Sequence, residues 1–237
     1  MNVALIIAGG KGERLKQDVP KQFLHIDDKP VIIYTLEAFQ QHPSIDAILV
    51  VCLDGWHEIL RAYAKQYKIT KLNWVVPGGA TGHDSIHNGL VELKMHCSDD
   101  DVILVHDANR PLVSQDIISD GLSVYSKYGS AVTAIPCTEV VFKSMDGNTL
   151  DEEVPRNLLR RAQTPQIFSL GKLWWAHEEA EKRNIKNPVT SCSLLKTLGE
   201  SLHFSLGSEK NIRITTTEDI DIIRALLKLS ERMDLKR

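Results

Sequence analysis

The stretch MNVALIIAGGKGERLKQDVPKQFL, residues 1–24, carries an apolar run from Val3 to Ile7 directly into Ala8-Gly9-Gly10-Lys11-Gly12, and Arg14 and Lys21 follow. That order describes a buried strand, a glycine loop and a basic segment. Glycines let backbone N–H groups approach phosphate oxygens closely, and Lys and Arg supply the countercharge, so a polyphosphate is expected there. Residues 11–21 hold four cations (Lys11, Arg14, Lys16, Lys21) against two anions (Glu13, Asp18), whereas the whole chain stands at −3. Positive charge is concentrated at the loop. No Gly precedes Lys-Ser or Lys-Thr at P-loop spacing, and a dinucleotide fingerprint starting at Gly10 and Gly12 would meet Leu15 at its third glycine. A bare turn after a first strand does not need this density of Lys and Arg.

Outward from the loop, apolar runs alternate with helical periodicity. Strands are expected at Ala47–Cys52, Asn73–Val76 and Asp101–His106, and helices at Val31–His42, His57–Tyr67 and Asp84–Met95. Near-continuous apolar strands separated by helices imply a parallel sheet with ligands at its carboxyl ends. The glycine loop, Gly78-Gly79 and Asp107 all fall at such ends. The fold class is therefore α/β: a Rossmann-like, mostly parallel sheet flanked by helices. Thr138–Glu153 has a different texture. Asp146-Gly147 between strand-like segments signals a hairpin, read as a protruding arm at about 137–160, with dimer contact and an ordinary surface hairpin both open. A helix bearing Trp174 and Trp175 and a last helix over Thr216–Lys228 complete a single domain spanning 1–237.

Bulk properties narrow the function classes. A chain of 237 residues with 43% hydrophobic content buries a substantial core. Net charge −3 argues against general nucleic-acid binding. No apolar stretch has signal-peptide or membrane-span length, and the four scattered cysteines read as reduced thiols, which together suggest a cytoplasmic protein. No histidine cluster has zinc-ligand spacing.

Asp107 ends an apolar strand just before Arg110-Pro111. It is placed to hold a metal-polyphosphate or to pair with Arg110, and the sequence leaves both readings standing. The patterns A-G-G-x-G-x-R, P-K-Q-F, G-G-x-x-x-x-x-S-I-x-N-G-L, V-H-D-A-x-R-P, T-P-Q-x-F and N-I-x-I-T-x-x-E-D occur in one order from Ala8 through Asp219. This set resembles the methylerythritol-phosphate cytidylyltransferase family, which includes the ribitol-5-phosphate cytidylyltransferases. The resemblance implies a nucleotide-diphospho-sugar-transferase-like fold, a homodimer, CTP and Mg²⁺, and release of pyrophosphate. It assigns catalysis to Arg14, Lys21, Asp107, Arg156 and Arg213. It assigns nucleotide binding to Ala8, Gly9, Gly10, Lys11, Gly12, Gly78, Gly79 and Ser85. The acceptor falls to Asp107, Arg156 (carried by the arm to the partner subunit), Thr190 and Arg213, and the metal to Asp107.

Departures from the family pattern concentrate on the acceptor side. Arg213 stands where the family has Lys, Thr190 is followed by Ser191 instead of Asp, Glu139-Val140 replaces Asp-Thr, and Gly82-His83 displaces a loop arginine. The expected acceptor is a small polyol phosphate, methylerythritol 4-phosphate or ribitol 5-phosphate. Two alternatives differ in class. A non-catalytic nucleotide-binding paralogue would have shed the phosphate-handling charges, yet Arg14, Lys21 and Asp107 are all present. A nucleotidyltransferase with another base or a sugar-phosphate acceptor is the other.

Overall fold

The computed structural model describes residues 1–10, 19–186 and 188–234. Its first strand, β1 (Asn2–Ala8), lies in a seven-stranded sheet between β4 (Ala47–Cys52) and β6 (Val102–Asp107), parallel to both. With all its backbone groups paired and both faces covered, β1 can be apolar throughout. Its alternate side chains serve two different cores. Ala4, Ile6 and Ala8 join Ile32, Leu36 and Phe39 of α1 (Val31–Gln41) and Leu60 of α2 (His57–Gln66). Val3 and Leu5 face Leu90 and Leu93 of α3 (Gly82–His96) on the opposite side. The second core also takes Leu173 of α5 (Leu170–Lys182) and Leu194 of α6 (Ser191–Thr197).

The chain runs from β1 outward through β4 to β5 (Leu72–Pro77), then returns to the other side of β1 as β6. Such a reversal leaves a crevice at the strands' carboxyl ends, because the connections on either side lead away from each other. Ala8, Cys52, Pro77 and Asp107 end the four strands that form its floor.

The first four sheet strands lie where the sequence places them, and α3 begins two residues earlier than Asp84. Thr81 is its N-cap: its hydroxyl accepts from Asp84 N at 3.1 Å and the Asp84 carboxylate accepts from Thr81 N at 3.0 Å. Beyond β6 the sheet departs from parallel. After α4 (Gln115–Tyr128) comes β7 (Ala131–Pro136), and β10 (Arg160–Ser169) pairs antiparallel with both β6 and β7. The edge strand β11 (Phe204–Leu206) runs parallel to β7. Two short strands, β2 (His25–Ile26) and β3 (Lys29–Pro30), form a separate pair, and Ile26 packs on α7 (Thr217–Asp234) through Ile220 and Ile223.

The arm is a hairpin of β8 (Val141–Lys143) against β9 (Glu152–Val154). Asp146-Gly147 does not form a two-residue turn. It opens a longer loop in which Asp146 Oδ1 accepts from Asn148 N and Thr149 N, and Gly147 takes φ 75°. Those hydrogen bonds hold the Asp146 carboxyl down at about 2.

Candidate active site

One cleft of about 640 Å³ lies over the crevice. Its floor is made by two loops in backbone contact. A Cβ on Gly9 would sit 3.1 Å from Gly78 Cα, and one on Gly78 would sit 3.0 Å from Gly9 Cα, so the two loops leave no room for a side chain between them. A Cβ on Gly79 would meet Asp84 Cβ at 2.3 Å. Gly79 N donates to Ser85 Oγ at 3.0 Å, and that hydroxyl donates to Thr81 O at 2.9 Å. The α3 N-terminus therefore fixes the loop that lines the cleft.

Lys21 reaches the same cleft through its neighbour. Gln22 is buried, and its Nε2 donates to Ala8 O at 2.7 Å and to Gly10 O at 3.1 Å. The short 3₁₀ segment Lys21–Phe23 is thereby pinned beneath the glycine loop, with Phe23 stacked on Trp56.

Asp107 meets both readings of the sequence. Its Oδ2 accepts from Arg110 Nε at 2.9 Å, and its carboxylate also lines the cleft. The backbone beneath it is held by a buried relay. His106 Nε2 lies 3.2 Å from Arg110 O and must donate to that carbonyl, so Nδ1 is the acceptor and takes the hydroxyl proton of Thr164 at 3.0 Å. Thr164 Oγ1 in turn accepts from Asp107 N at 3.1 Å. Burial pushes the His106 imidazole down to about 4, so it stays neutral in this relay.

Arg213 arrives from more than a hundred residues away along a backbone tie. Ile214 N donates to Asn109 O at 2.9 Å, and Asn109 Nδ2 donates back to Ile214 O. Arg110 adds a bond from Nη1 to Asn211 O at 2.8 Å. The segment before α7 is thus laid along the end of β6.

Of the residues singled out in the sequence, Ala8, Gly9, Gly10, Lys21, Gly79, Ser85, Asp107 and Arg213 line this cleft together. Gly78 packs behind Gly9. Thr190 lies in a smaller adjoining chamber and caps α6, its hydroxyl accepting from Ser193 N. Arg156 is not brought to the cleft of its own chain: it sits exposed at the base of the arm and donates to Thr138 O at 2.9 Å. Lys11, Gly12 and Arg14 lie outside the described residues. The cleft also contains Gln22, Asn109 and Thr215, which sequence reasoning passed over. Their signal was adjacency, since each lies one or two residues from a residue already chosen.

The family model for IspD, 2-C-methyl-D-erythritol 4-phosphate cytidylyltransferase, matches residues 2–229. The chain belongs to that cytidylyltransferase family. It is a CTP-dependent nucleotidyltransferase. Similar proteins carry two names. A ribitol-5-phosphate cytidylyltransferase of Lacticaseibacillus paracasei is 39% identical, covering 98% of this chain and 100% of that one. A 2-C-methyl-D-erythritol 4-phosphate cytidylyltransferase of Clostridium botulinum is 37% identical, covering 96% and 97%. Among solved structures, the 2-C-methyl-D-erythritol 4-phosphate cytidylyltransferase of Francisella tularensis superposes with TM-score 0.76 at 28% identity, over 94% of this chain and 98% of that one. Among the described residues, no helix of this cytidylyltransferase is long and apolar enough to cross a membrane.

Proposed function

We propose that this cytidylyltransferase transfers CMP from CTP to D-ribitol 5-phosphate and releases pyrophosphate. The observation that carries the reaction type is the meeting of Lys21, Arg213 and Asp107 over a glycine floor at one set of strand ends. The choice of acceptor is supported by the 39% identical relative that bears the ribitol name over its full length. 2-C-Methyl-D-erythritol 4-phosphate is the second reading, favoured by the relative at 37%.

In the reaction an acceptor phosphate oxygen attacks the α-phosphorus, and the bond from that phosphorus to the β-bridging oxygen breaks. Anions must converge while pyrophosphate departs, so the protein's task is positioning and charge neutralisation. Lys21 and Arg14 neutralise the triphosphate, with the backbone of Ala8 to Gly10 beside it. Arg213 faces the acceptor phosphate, and its planar fork suits two phosphate oxygens at once. Cytosine rests against Gly78-Gly79 and Ser85. The Ser85 proton is already given to Thr81 O, so Ser85 shapes the loop and leaves most base reading to backbone groups.

Mg²⁺ fits the donor set as a cation shared with the triphosphate. Among the described residues only Arg110 hydrogen-bonds the Asp107 carboxylate, through Oδ2, which leaves Oδ1 as a hard oxygen donor. No group of three or more His, Cys, Asp or Glu that could hold a metal ion occurs among the described residues, and Asp107 would share such an ion with oxygens of the substrate. Such an ion supplies neutralisation of the departing charge.

The whole chain forms one cytoplasmic domain, and its arm joins two copies into a homodimer that carries Arg156 to the partner's acceptor site. Exposed apolar side chains on the arm, among them Phe142, Met145, Leu150 and Leu158, support that reading.

Pyrophosphate release from CTP in the presence of each polyol phosphate tests the acceptor. Turnover with ribitol 5-phosphate at least tenfold above methylerythritol 4-phosphate is expected. The reverse preference overturns the choice, and turnover with neither overturns both named acceptors.

A further inference from the structure

Ten residues separate Gly10 from Lys21 along the chain, so backbone continuity leaves the distance between the glycine loop and the Lys21 ammonium unset. The glycine loop is fixed without help from Lys21. Ala8 is in register with Cys52 of β4, and its carbonyl accepts from Leu53 N at 3.2 Å. Gly9 packs against Gly78 with no room for a Cβ. Lys21–Phe23 is the part whose place has to be set.

Two side chains hold that segment, by different physics. Phe23 is buried in the core that includes α1 and stacks on Trp56 with ring centroids 4.5 Å apart. Aromatic pairs stay favourable over centroid distances of about 4.5–7 Å, so the stack anchors the segment and still allows it to slide or tilt. Gln22 is directional. Its Nε2 donates to Ala8 O at 2.7 Å and to Gly10 O at 3.1 Å, and hydrogen bonds weaken steeply once their angle is lost. This fork ties residue 22 to both ends of the glycine turn.

An amide suits the position. Ala8 O accepts from Leu53 N, and Gln22 takes its second lone pair. Gln22 is only 2% exposed, and a buried amide is costly unless its N–H groups are bonded, so the side chain is confined to these two carbonyls. A carboxylate of the same length would face both carbonyl oxygens with acceptors, and a thioether would leave both unbonded by it.

We propose that Gln22 is a positioning residue for cytidylyl transfer: its amide clasps Lys21 at a fixed distance from the Ala8–Gly10 backbone, so that ammonium and loop act on the triphosphate together. The proposal rests on the reading of Lys21 as the cation that neutralises the triphosphate, because Gln22 acts through it. A lysine reaches its target on a flexible four-carbon stem, and a displacement near 1 Å costs on the order of 10²-fold in rate, so fixing the lysine's backbone protects the reaction.

Gln22→Met, of similar length and without the two N–H groups, tests it in pyrophosphate release with whichever named polyol phosphate wild type uses. It should lower kcat about ten- to hundredfold and leave acceptor KM within twofold. With the Phe23 stack intact, Tm should fall by roughly 5 °C. In a Lys21→Ala background the same substitution should cost no more than about twofold further, since nothing is left to position. Gln22→Asn keeps the amide one methylene short and should fall between wild type and Gln22→Met; it carries the same double-variant comparison if Gln22→Met does not fold. A lowered Tm with kcat within twofold of wild type would make Gln22 a purely structural residue and overturn the proposal. So would a full multiplicative loss in the Lys21→Ala background. Wild-type kcat in Lys21→Ala alone is a different result, and it overturns the reading of Lys21 together with the clasp.

Discussion

The two sides of the cleft are built by different physical means. On the side proposed for the nucleotide, Gly9 and Gly78 meet backbone to backbone, and Gly79 is held by Ser85 and Thr81 within one short turn of sequence. On the side proposed for the acceptor, Asp107, Arg213, Thr190 and the paired histidines come from β6, from the segment before α7, and from α3, α5 and α6. A wall made of backbone tolerates almost no change, because a Cβ has nowhere to go. A wall made of side chains from separate elements can be exchanged residue by residue while the fold stands. The departures from the family pattern at Ser191, Arg213 and Gly82-His83 fall on or beside the second wall.

The largest disruption of that contrast comes from the cation proposed to neutralise the triphosphate. Lys21→Ala should lower kcat by about 10²–10³ with either polyol phosphate, as for other preorganised charge stabilisers. Steady-state pyrophosphate release measures it, and retention of wild-type kcat would remove Lys21 from the chemistry.

Gly79→Ala should strike the nucleotide side alone. The added methyl would approach Asp84 Cβ to 2.3 Å and the Asp84 carbonyl carbon to 2.7 Å, so the loop must shift. A displacement near 1 Å costs on the order of 10²-fold in efficiency, expected here in kcat/KM for CTP, with acceptor KM little changed. Equal damage to both substrates would erase the distinction between the walls.

Arg156→Ala should raise acceptor KM about 10–100-fold, the worth of a charge-assisted bond to phosphate, and leave CTP KM alone. Mixing this variant with a Lys21→Ala chain sharpens the comparison. If the arm acts across a dimer, heterodimers regain activity in one of their two clefts; no regain places Arg156 outside the partner's site.

The smallest effect is on stability against pH. His106 is held at about 4 beside Asp107 and Arg110, and His177 at about 3 beside His83, His87 and Asp84. Both are ordinary imidazoles near 6.5 once unfolded, so the unfolded chain binds more protons over that interval. Stability is therefore full above about pH 6.5 and falls as pH drops toward 4, with Tm lower by roughly 5 °C at pH 5 than at pH 7. A melting curve flat over that range would mean that these rings gain protons without opening the fold.

Much of this was legible in the chain itself. Val3–Ile7, Ala47–Cys52 and Asp101–His106 are apolar enough to be recognised as buried strands, the last observed at Val102–Asp107, and their carboxyl ends carry the glycines and Asp107. Local rules covered them because each strand is specified by its own composition. The antiparallel β10 and the edge strand β11 were not legible. Arg160–Ser169 mixes Arg, Gln and Thr with few apolar residues, and it is a strand because β6 and β7 offer it two unpaired edges.

The sequence by itself determined that a glycine floor with cations follows the first strand, and that a carboxylate ends the fourth major one. These are properties of contiguous residues, set by steric freedom, charge and period. Only the tertiary structure decided that Arg213 lies beside Asn109, that Thr190 opens onto a different space from Lys21, and that His83 stacks on His177. Those meetings depend on the order in which strands join the sheet, and no stretch of sequence carries the positions of elements it does not contain.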